Sequence, residues 1–317
     1  MSRSPKFATL VAVGPGPAEI DRVADLVDAI AHCELGPSYF VMVDDARCAR
    51  DLTREVRFPI TISPVSIWHD RSAQHTGYSR GKGICSVILT GLSWIARHAD
   101  DAKFVLKMDT DALAIAPFAE RVAARLAADP RVGMLGAHTI TPNGTPRDTS
   151  RGAETIRAIH RPPIPWLRPR RACRVLRDRL TGGRLKPIRT AISAARQNGY
   201  AYGEHCLGGA YALAGELVRR MHSSGHLDQP QAWLNIDSPE DVMMGMYTRA
   251  VGLTLANCVD SGDVFGVRHE GLPFMPQECI SRGYGIIHAV KNDPRISERE
   301  IRSHFAALRK SRRGVAA

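Results

Sequence analysis

The sequence Phe104-Val105-Leu106-Lys107-Met108-Asp109-Thr110-Asp111 governs how the rest of the chain can be interpreted. Its first five residues form a short, mostly apolar run, which predicts a buried strand. Asp109 and Asp111 follow directly, one residue apart, so their carboxylates can share one divalent cation. A cation held there can neutralise a diphosphate, which indicates chemistry on a nucleotide-activated substrate. Alternatively, the two acids only end the strand and solvate a loop.

Strands and helices alternate on both sides of this segment. Helical spacing of apolar residues lies at 20–31 and 84–95, and a further helix begins at Pro117-Phe118. The alternation predicts an α/β fold with a mostly parallel sheet covered by helices on both faces. Ligands of such sheets gather beyond the carboxyl ends of the strands, where Asp44-Asp45 also falls. The apolar runs that predict strands are Ala8–Val13, Tyr39–Val43, Ile60–Val65, Phe104–Met108 and Val132–Ala137.

The composition is that of a globular protein, with 317 residues, 44% of them hydrophobic and 24% charged. No run approaches the roughly 18 consecutive apolar residues that a membrane helix needs. The N-terminal apolar run Phe7–Val13 ends in Gly14-Pro15-Gly16-Pro17 instead of a cleavage site, so we interpret it as a first strand, not a signal peptide. The seven cysteines show no C-x-x-C spacing. This predicts free thiols in a reducing cytoplasm.

The net charge of +11 comes from one segment. Residues 147–196 contain fourteen Lys or Arg and three acidic residues, a balance of +11, so the remainder is neutral. The surrounding region, 141–203, is also rich in proline and predicts an insertion with one or two short helices. It separates a nucleotide-binding half (8–140) from an acceptor and catalytic half (204–290). A C-terminal helix and a basic tail are predicted over 291–317.

The second half again mixes strands and helices, and its last basic residues predict a frayed tail. The predicted elements are a strand at Leu207–Ala214, helices at Glu216–Ser223 and Asp241–Val251, strands near Leu253–Val259 and Ile286–Ala289, and the tail at Arg309–Arg313.

Glu240 and Asp241 are candidates for acid–base chemistry. They follow Ser238-Pro239, which is a normal helix start, and carboxylates are favourable there without any catalytic purpose. The same helix start also holds a carboxylate rigidly, as a general base requires.

Three further features have both a structural and a ligand-binding interpretation. Gly208-Gly209 either forms a tight turn or lets a ligand approach the backbone closely. His288 is either a core histidine or a neutral imidazole that completes a metal site. Lys82, between two glycines at a helix N-terminus, suits phosphate contact, although no Walker A or dinucleotide-binding motif is present.

In this order, the motifs resemble those of glycosyltransferases with the GT-A fold. Val43-Asp44-Asp45 and Gly81-Lys82-Gly83, followed by Met108-Asp109-Thr110-Asp111, resemble the large family of processive and non-processive inverting transferases. The second half looks more like the β-1,3-galactosyltransferase and fringe type. Its Gly208-Gly209, Glu240-Asp241 and His288 are similar to that family's glycine loop, E-D motif and C-terminal metal histidine. The resemblance covers roughly residues 8–140 and 203–290, and the Arg-rich insertion has no counterpart in it.

The resemblance implies a role for each motif. Asp109, Asp111 and His288 would hold Mn²⁺ or Mg²⁺ against the diphosphate of a UDP-sugar. Asp241, beside Glu240, would deprotonate the acceptor hydroxyl, which attacks the anomeric carbon with inversion. The nucleotide-contacting residues it implies are Asp44 or Asp45 at the uridine, Lys82 and Asp109 at the phosphates, and Gly208 and Gly209 at the donor sugar or acceptor.

The expected setting is bacterial polysaccharide or glycan biosynthesis in the cytoplasm, with a glycan or lipid-linked acceptor. The basic segment 147–196 is predicted to meet an anionic acceptor or the inner face of an anionic membrane, or to be a solvated loop. Two alternatives remain open: a nucleotidyltransferase of similar fold, and a polyanion-binding protein that acts through 147–196. Nucleic acid is a poor candidate partner, since aromatic residues that could stack on bases are scarce in this segment.

Overall fold

The computed structural model describes residues 6–71, 82–161 and 183–315, and side chains as far as 311. Gly81, one of the two glycines beside Lys82, and most of the proline-rich centre of the insertion lie outside these ranges. The strands are β1 (Phe7–Val13), β2 (Ser38–Asp44), β3 (Ile62–Trp68), β4 (Phe104–Met108), β5 (Leu113–Ala114), β6 (Val132–Gly136), β7 (Ala210–Ala214), β8 (Thr254–Asn257), β9 (Phe265–Val267) and β10 (Ile286–His288).

The helices alternate with these strands, as the sequence predicted. They are α1 (Ala18–Cys33), α2 (Leu52–Glu55), α3 (Ile84–His98), α4 (Ala119–Ala128), α5 (Ser150–His160), α6 (Lys186–Gln197), α7 (Gly215–Ser223), α8 (Glu240–Ala250), α9 (Pro276–Ser281) and α10 (Glu298–Val315).

The central sheet has seven strands in the order β3-β2-β1-β4-β7-β6-β8. Its neighbours run parallel except for β7, which is antiparallel to both β4 and β6. The predicted mostly parallel α/β fold is therefore confirmed. A second, three-stranded sheet has the order β5-β10-β9. Its strand β5 follows Asp111 closely in sequence and pairs with β10, so the pairing brings β10 close to Asp111.

Helices cover both faces of the central sheet. On one face Phe7 and Val11 share a core with the apolar side of α1 and with the small sheet, and on the other Leu10 and Val43 pack against α3. The packing on α3 is so close that a Cβ added at Gly91 would lie 2.3 Å from Leu10 Cδ1. Because the central strands β1 and β4 are buried on both faces, their ends are where polar side chains can reach solvent or a ligand.

Two local predictions were wrong. The third strand begins at Ile62 instead of Ile60, because Pro59 and Ile60 form a turn that leaves the Ile60 side chain fully exposed. The predicted frayed tail at Arg309–Arg313 instead continues α10. Arg309 is buried, and its guanidinium pairs with Asp25 on α1 at 2.5 Å and with Asp28 at 2.8 Å.

The described ends of the basic insertion are helical and packed. Ile156 on α5 and Ile188 and Ile192 on α6 are buried in the core that also contains α8. This agrees with the predicted short helices and excludes a solvated loop for 150–160 and 186–197. Within the three described ranges, no helix has the length and apolar character needed to cross a membrane.

Candidate active site

The two aspartates after β4 sit at the centre of the sheet edge. The N–H of Asp109 donates to the carbonyl of Gly209 at 2.7 Å, which ties the end of β4 to the start of β7. The Asp111 side chain is 1% exposed, whereas that of Asp109 is 40% exposed. One carboxylate is thus buried behind the site and the other opens towards solvent.

His288 reaches these aspartates through the small sheet. Its strand, β10, pairs with β5, which follows Asp111 almost directly, and the N–H of Val290 donates to the Asp111 carbonyl at 2.9 Å. The histidine Nδ1 lies 2.7 Å from the Arg268 carbonyl, so Nδ1 carries the proton and donates it there. Nε2 is the nitrogen that a cation could take as a ligand, and it faces Asp111 Oδ1 at 3.4 Å and Asp109 Oδ2 at 3.8 Å.

This set of three side chains fits a divalent cation. One ligand atom from each of Asp109, Asp111 and His288 lies within 4.8 Å of the others. Both carboxylate oxygens of Asp111 are buried, and neither accepts a hydrogen bond of good geometry from the protein, although Lys291 Nζ lies 3.1 Å from Oδ2. A buried carboxylate whose oxygens are not occupied by backbone donors can still coordinate a cation. Two carboxylate oxygens and one imidazole nitrogen are ordinary ligands of divalent cations.

Nearby positive charge keeps Asp111 ionised. Burial acts to raise its pKa, but His288 and Lys291 outweigh burial and hold the pKa of this carboxyl well below its usual range. The carboxylate is therefore ready to bind a cation at neutral pH.

Gly209 and Gly208 make room for side chains of this site. Gly209 has a φ of +92°, and a Cβ there would lie 2.3 Å from His288 Nδ1. A Cβ at Gly208 would lie 3.0 Å from Asp241 Oδ2. Within the chain, the groups that lie close to these glycines are the ring of His288 and the carboxylate of Asp241, and the close approach of a ligand stays a prediction.

Asp241 lies in the first turn of α8 and is 6% exposed. Its Oδ2 accepts a hydrogen bond from the N–H of Gly208 at 2.6 Å, and its Oδ1 accepts one from the N–H of Val242 at 2.7 Å. Backbone groups from two elements therefore fix the orientation of the carboxylate. The helix start holds Asp241 rigidly, as a general base requires.

Lys107 connects the two groups of carboxylates and was not among the predicted site residues. It lies within β4, is 1% exposed, and its Nζ is 2.6 Å from Asp109 Oδ1 and 2.5 Å from Glu240 Oε1. Burial acts to lower its pKa, but the two carboxylates outweigh burial and raise the pKa well above the usual lysine value. A lysine inside an otherwise apolar strand was the available signal, because a buried charge needs partners.

Arg147 and His205 were also missed, and both lie behind Asp241. His205 Nδ1 donates to the Gly203 carbonyl at 2.6 Å, so Nε2 accepts from Arg147 Nη2 at 2.6 Å and lies 3.6 Å from Asp241 Oδ2. Burial lowers the pKa of His205, which keeps the ring neutral. No spacing in the sequence joins these residues, since Arg147 opens the insertion and His205 follows it.

The two acids at the end of β2 have different environments. Asp44 is fully buried, and its carboxylate accepts from the guanidinium of Arg50 at 2.6 Å and from the N–H of Ala46 at 3.1 Å. Asp45 accepts from Arg71 at 2.7 Å through Oδ2, while its Oδ1 is buried without a partner. Of the two, Asp45 has the oxygen left for a ligand.

Arg71 joins Asp45 to the Lys82 region. Its Nη2 donates to the Lys82 carbonyl at 2.6 Å, and the backbone of Lys82 forms a β-bridge with Asp237. Gly83 has a φ of +88°, and a Cβ there would lie 2.7 Å from Arg71 Nη2. The start of α3 is therefore fixed between the predicted nucleotide contact and the segment that leads to Asp241.

The fold of the chain, unlike its sequence, resembles that of a known protein. No protein-family model matches the chain, and no curated protein matches it. Among solved structures, the bifunctional glycosyltransferase WbbM in its apo state superposes on 96% of this chain with a TM-score of 0.50 and 9% sequence identity. This chain shares its fold with part of that glycosyltransferase. The aligned region is 50% of WbbM, so the chain spans about half the length of that protein.

Proposed function

We propose that this chain is a metal-dependent glycosyltransferase. It would transfer a sugar from a nucleotide sugar, most simply a UDP-sugar, to an acceptor hydroxyl with inversion at the anomeric carbon, on a GT-A type fold. The observation that carries the proposal is the convergence of Asp109, Asp111 and His288 next to a rigid, buried Asp241. Gly208-Gly209 separates the two groups and contacts both.

Each side chain has a distinct task in this proposal. Asp109, Asp111 and His288 would hold Mn²⁺ or Mg²⁺, and such a cation offsets the negative charge of the departing diphosphate. Asp241 accepts the proton of the acceptor hydroxyl, with the Gly208 N–H orienting the carboxylate. A base of this kind contributes about 10²–10⁴-fold to the rate. Glu240 does not reach the acceptor in this scheme, because its carboxylate is paired with Lys107.

The nucleotide would lie over the start of α3 and the end of β2. The buried, unpartnered Oδ1 of Asp45 suits an N–H of the uracil, which favours Asp45 over the fully satisfied Asp44. Lys82 and the glycines beside it would contact the phosphates, as would Asp109 through the cation.

The basic insertion is proposed to receive an anionic acceptor, either a glycan or a lipid-linked one at the inner membrane face. The start of α5 lies beside α8, which carries Asp241 and is called the base helix below, since a Cβ at Gly152 would be 2.9 Å from Val242. Arg151 and Arg157 are exposed on α5. Reversing both charges to Glu is expected to weaken use of an anionic acceptor more than that of a neutral one; equal effects on both would contradict this role.

One assay tests the main proposal. The chain is incubated with MnCl₂, a panel of UDP-sugars and candidate acceptors, and the nucleotide products are separated by chromatography. Release of UDP with a new glycoside is expected. In a parallel incubation with sugar phosphates and UTP, formation of a nucleotide sugar would instead show a nucleotidyltransferase. The anomeric configuration of the product, measured by NMR, tests inversion independently, and a retained configuration would contradict it.

A further inference from the structure

Lys107 provides a physical connection between the cation site and the start of the base helix. Its ammonium lies between Asp109, which ends β4, and Glu240, the first residue of α8, at 2.6 and 2.5 Å. Its third close neighbour is the ring of Tyr211 on β7, whose centroid is 5.4 Å away. With 1% of the side chain exposed, the ammonium is removed from water and depends on these partners.

The geometry makes Asp109 a shared group. Its Oδ1 pairs with Lys107, while its Oδ2 points towards His288 and the cation site. A cation bound at this site and the Lys107 ammonium therefore compete for the charge of one carboxylate. Glu240 is the other carboxylate paired with Lys107, so it determines how strongly Lys107 holds Asp109.

We propose that Lys107 is a positioning residue that couples cation binding at Asp109 to the placement of Glu240 and the base helix. When a cation binds Asp109, the ion pair between Lys107 and Asp109 weakens and the ion pair between Lys107 and Glu240 becomes stronger. The stronger pair fixes the position of Glu240 and of the first turn of α8. By thermodynamic reciprocity, Glu240 raises the affinity for the cation. It shares the Lys107 ammonium with Asp109, so more of the negative charge of Asp109 is available to the cation. This inference rests on the proposed cation site, and adds that the cation and base regions are energetically coupled.

The test is a double-mutant cycle read out as the affinity for MnCl₂ alone, without donor or acceptor, by isothermal titration calorimetry. In Glu240→Gln, Lys107 keeps only Asp109 as its carboxylate partner, and the Kd for Mn²⁺ is expected to rise about tenfold, or roughly 1.4 kcal/mol. In the Lys107→Met background, the same Glu240→Gln change is expected to alter the Kd by less than about threefold.

Two controls separate coupling from simpler effects. Asp241→Asn removes the same charge from the neighbouring position without removing a Lys107 contact, so it reports the long-range electrostatic effect and is expected to raise the Kd less than Glu240→Gln does. Arg309→Met with Asp28→Asn removes the ion pair between a buried arginine on α10 and a half-exposed aspartate on α1, and is expected to lower thermal stability with no change in Mn²⁺ affinity.

The outcomes distinguish this inference from the proposed function. Equal effects of Glu240→Gln in the wild type and in the Lys107→Met background would overturn the coupling, while Mn²⁺-dependent transfer by the wild type would stand. If Lys107→Met does not fold, the comparison of Glu240→Gln with Asp241→Asn decides, and equal Kd values for these two would also overturn it. Failure of the wild type to bind Mn²⁺ would overturn both the coupling and the metal-dependent proposal.

Discussion

Asp111 and Asp241 are both almost completely buried, yet their carboxylates have opposite surroundings. Both oxygens of Asp241 accept hydrogen bonds from backbone N–H groups, at 2.6 and 2.7 Å. Neither oxygen of Asp111 has a hydrogen-bond donor with good geometry, and its ion-pair partners among the described residues are Lys291 and His288. Both oxygens of Asp241 therefore have hydrogen-bond donors within the described part of the chain, whereas the oxygens of Asp111 do not.

This difference separates a group that must keep its orientation from a group that must acquire a partner. A base works best when its carboxylate is held in advance, because no reorganisation is needed during the reaction. A cation ligand must instead keep oxygens that no backbone donor occupies, and in Asp111 the charges of Lys291 and His288 outweigh the cost of burying those oxygens. Variants of the two aspartates should therefore differ in kind as well as in size.

The largest effect is expected for Asp111→Asn. Transfer should fall to the background rate, and the thermal stabilisation that Mn²⁺ gives the wild type should disappear, about 2.7 kcal/mol at a cation concentration of 100 times Kd. Without cation, stability at neutral pH should fall, because the change removes the negative charge that pairs with Lys291 and His288, and these two groups hold the pKa of Asp111 below its usual range. The exposed control Asp101→Asn should behave as wild type. Unchanged Mn²⁺ stabilisation in Asp111→Asn would reject its ligand role.

Asp241→Asn is expected to lower kcat by about 10²–10⁴-fold. Donor binding, measured as Mn²⁺-dependent UDP-sugar affinity, should stay close to the wild-type value, since Asp241 contacts Gly208 and Val242 and does not contact the cation ligands. A variant that transfers sugar at the wild-type rate would remove Asp241 as the base. Loss of donor binding together with activity would show that it acts on the cation side instead.

His205→Ala is expected to reduce kcat about tenfold with little change in KM for the donor. The substitution leaves Arg147 Nη2 without its acceptor, which should cost about 1–3 kcal/mol of stability. It also allows the guanidinium to approach Asp241 and pair with the carboxylate that must accept a proton. Steady-state kinetics and urea unfolding measure the two effects. A loss of stability with an unchanged kcat would assign His205 a structural role only.

The smallest effect concerns Asp45 and is a pH dependence of stability. Burial raises the pKa of Asp45 to about 6, while Arg71 acts in the opposite direction. The folded carboxyl thus binds its proton more tightly than the unfolded one, whose pKa is 3.8, and its contribution to stability falls as the pH rises from about 4 to about 6. Asp45→Asn should be more stable relative to wild type at pH 7 than at pH 4, by about 1–3 kcal/mol. Urea unfolding across this range measures it, and parallel curves would contradict the shift.

The alternation of apolar runs and helical spacing was sufficient to predict most of the fold. Strands such as β1 and β4 are buried on both faces and therefore occur as continuous apolar runs. The antiparallel direction of β7 and the existence of β5 and β9 could not be predicted, because elements of two to five residues have too little periodicity and depend on long-range pairing.

Local sequence patterns were enough to predict the main sheet, the pair Asp109 and Asp111 at a strand end, and the helix start that holds Asp241. Apolar runs, residue spacing and a proline at a helix start all act over a few neighbouring residues. The folded chain was needed to show that His288 lies against the two aspartates, and that Lys107 and His205 lie against the carboxylates. The reason is physical: a buried charge acquires its partners through contacts between residues far apart in the chain, such as the 133 positions between Lys107 and Glu240.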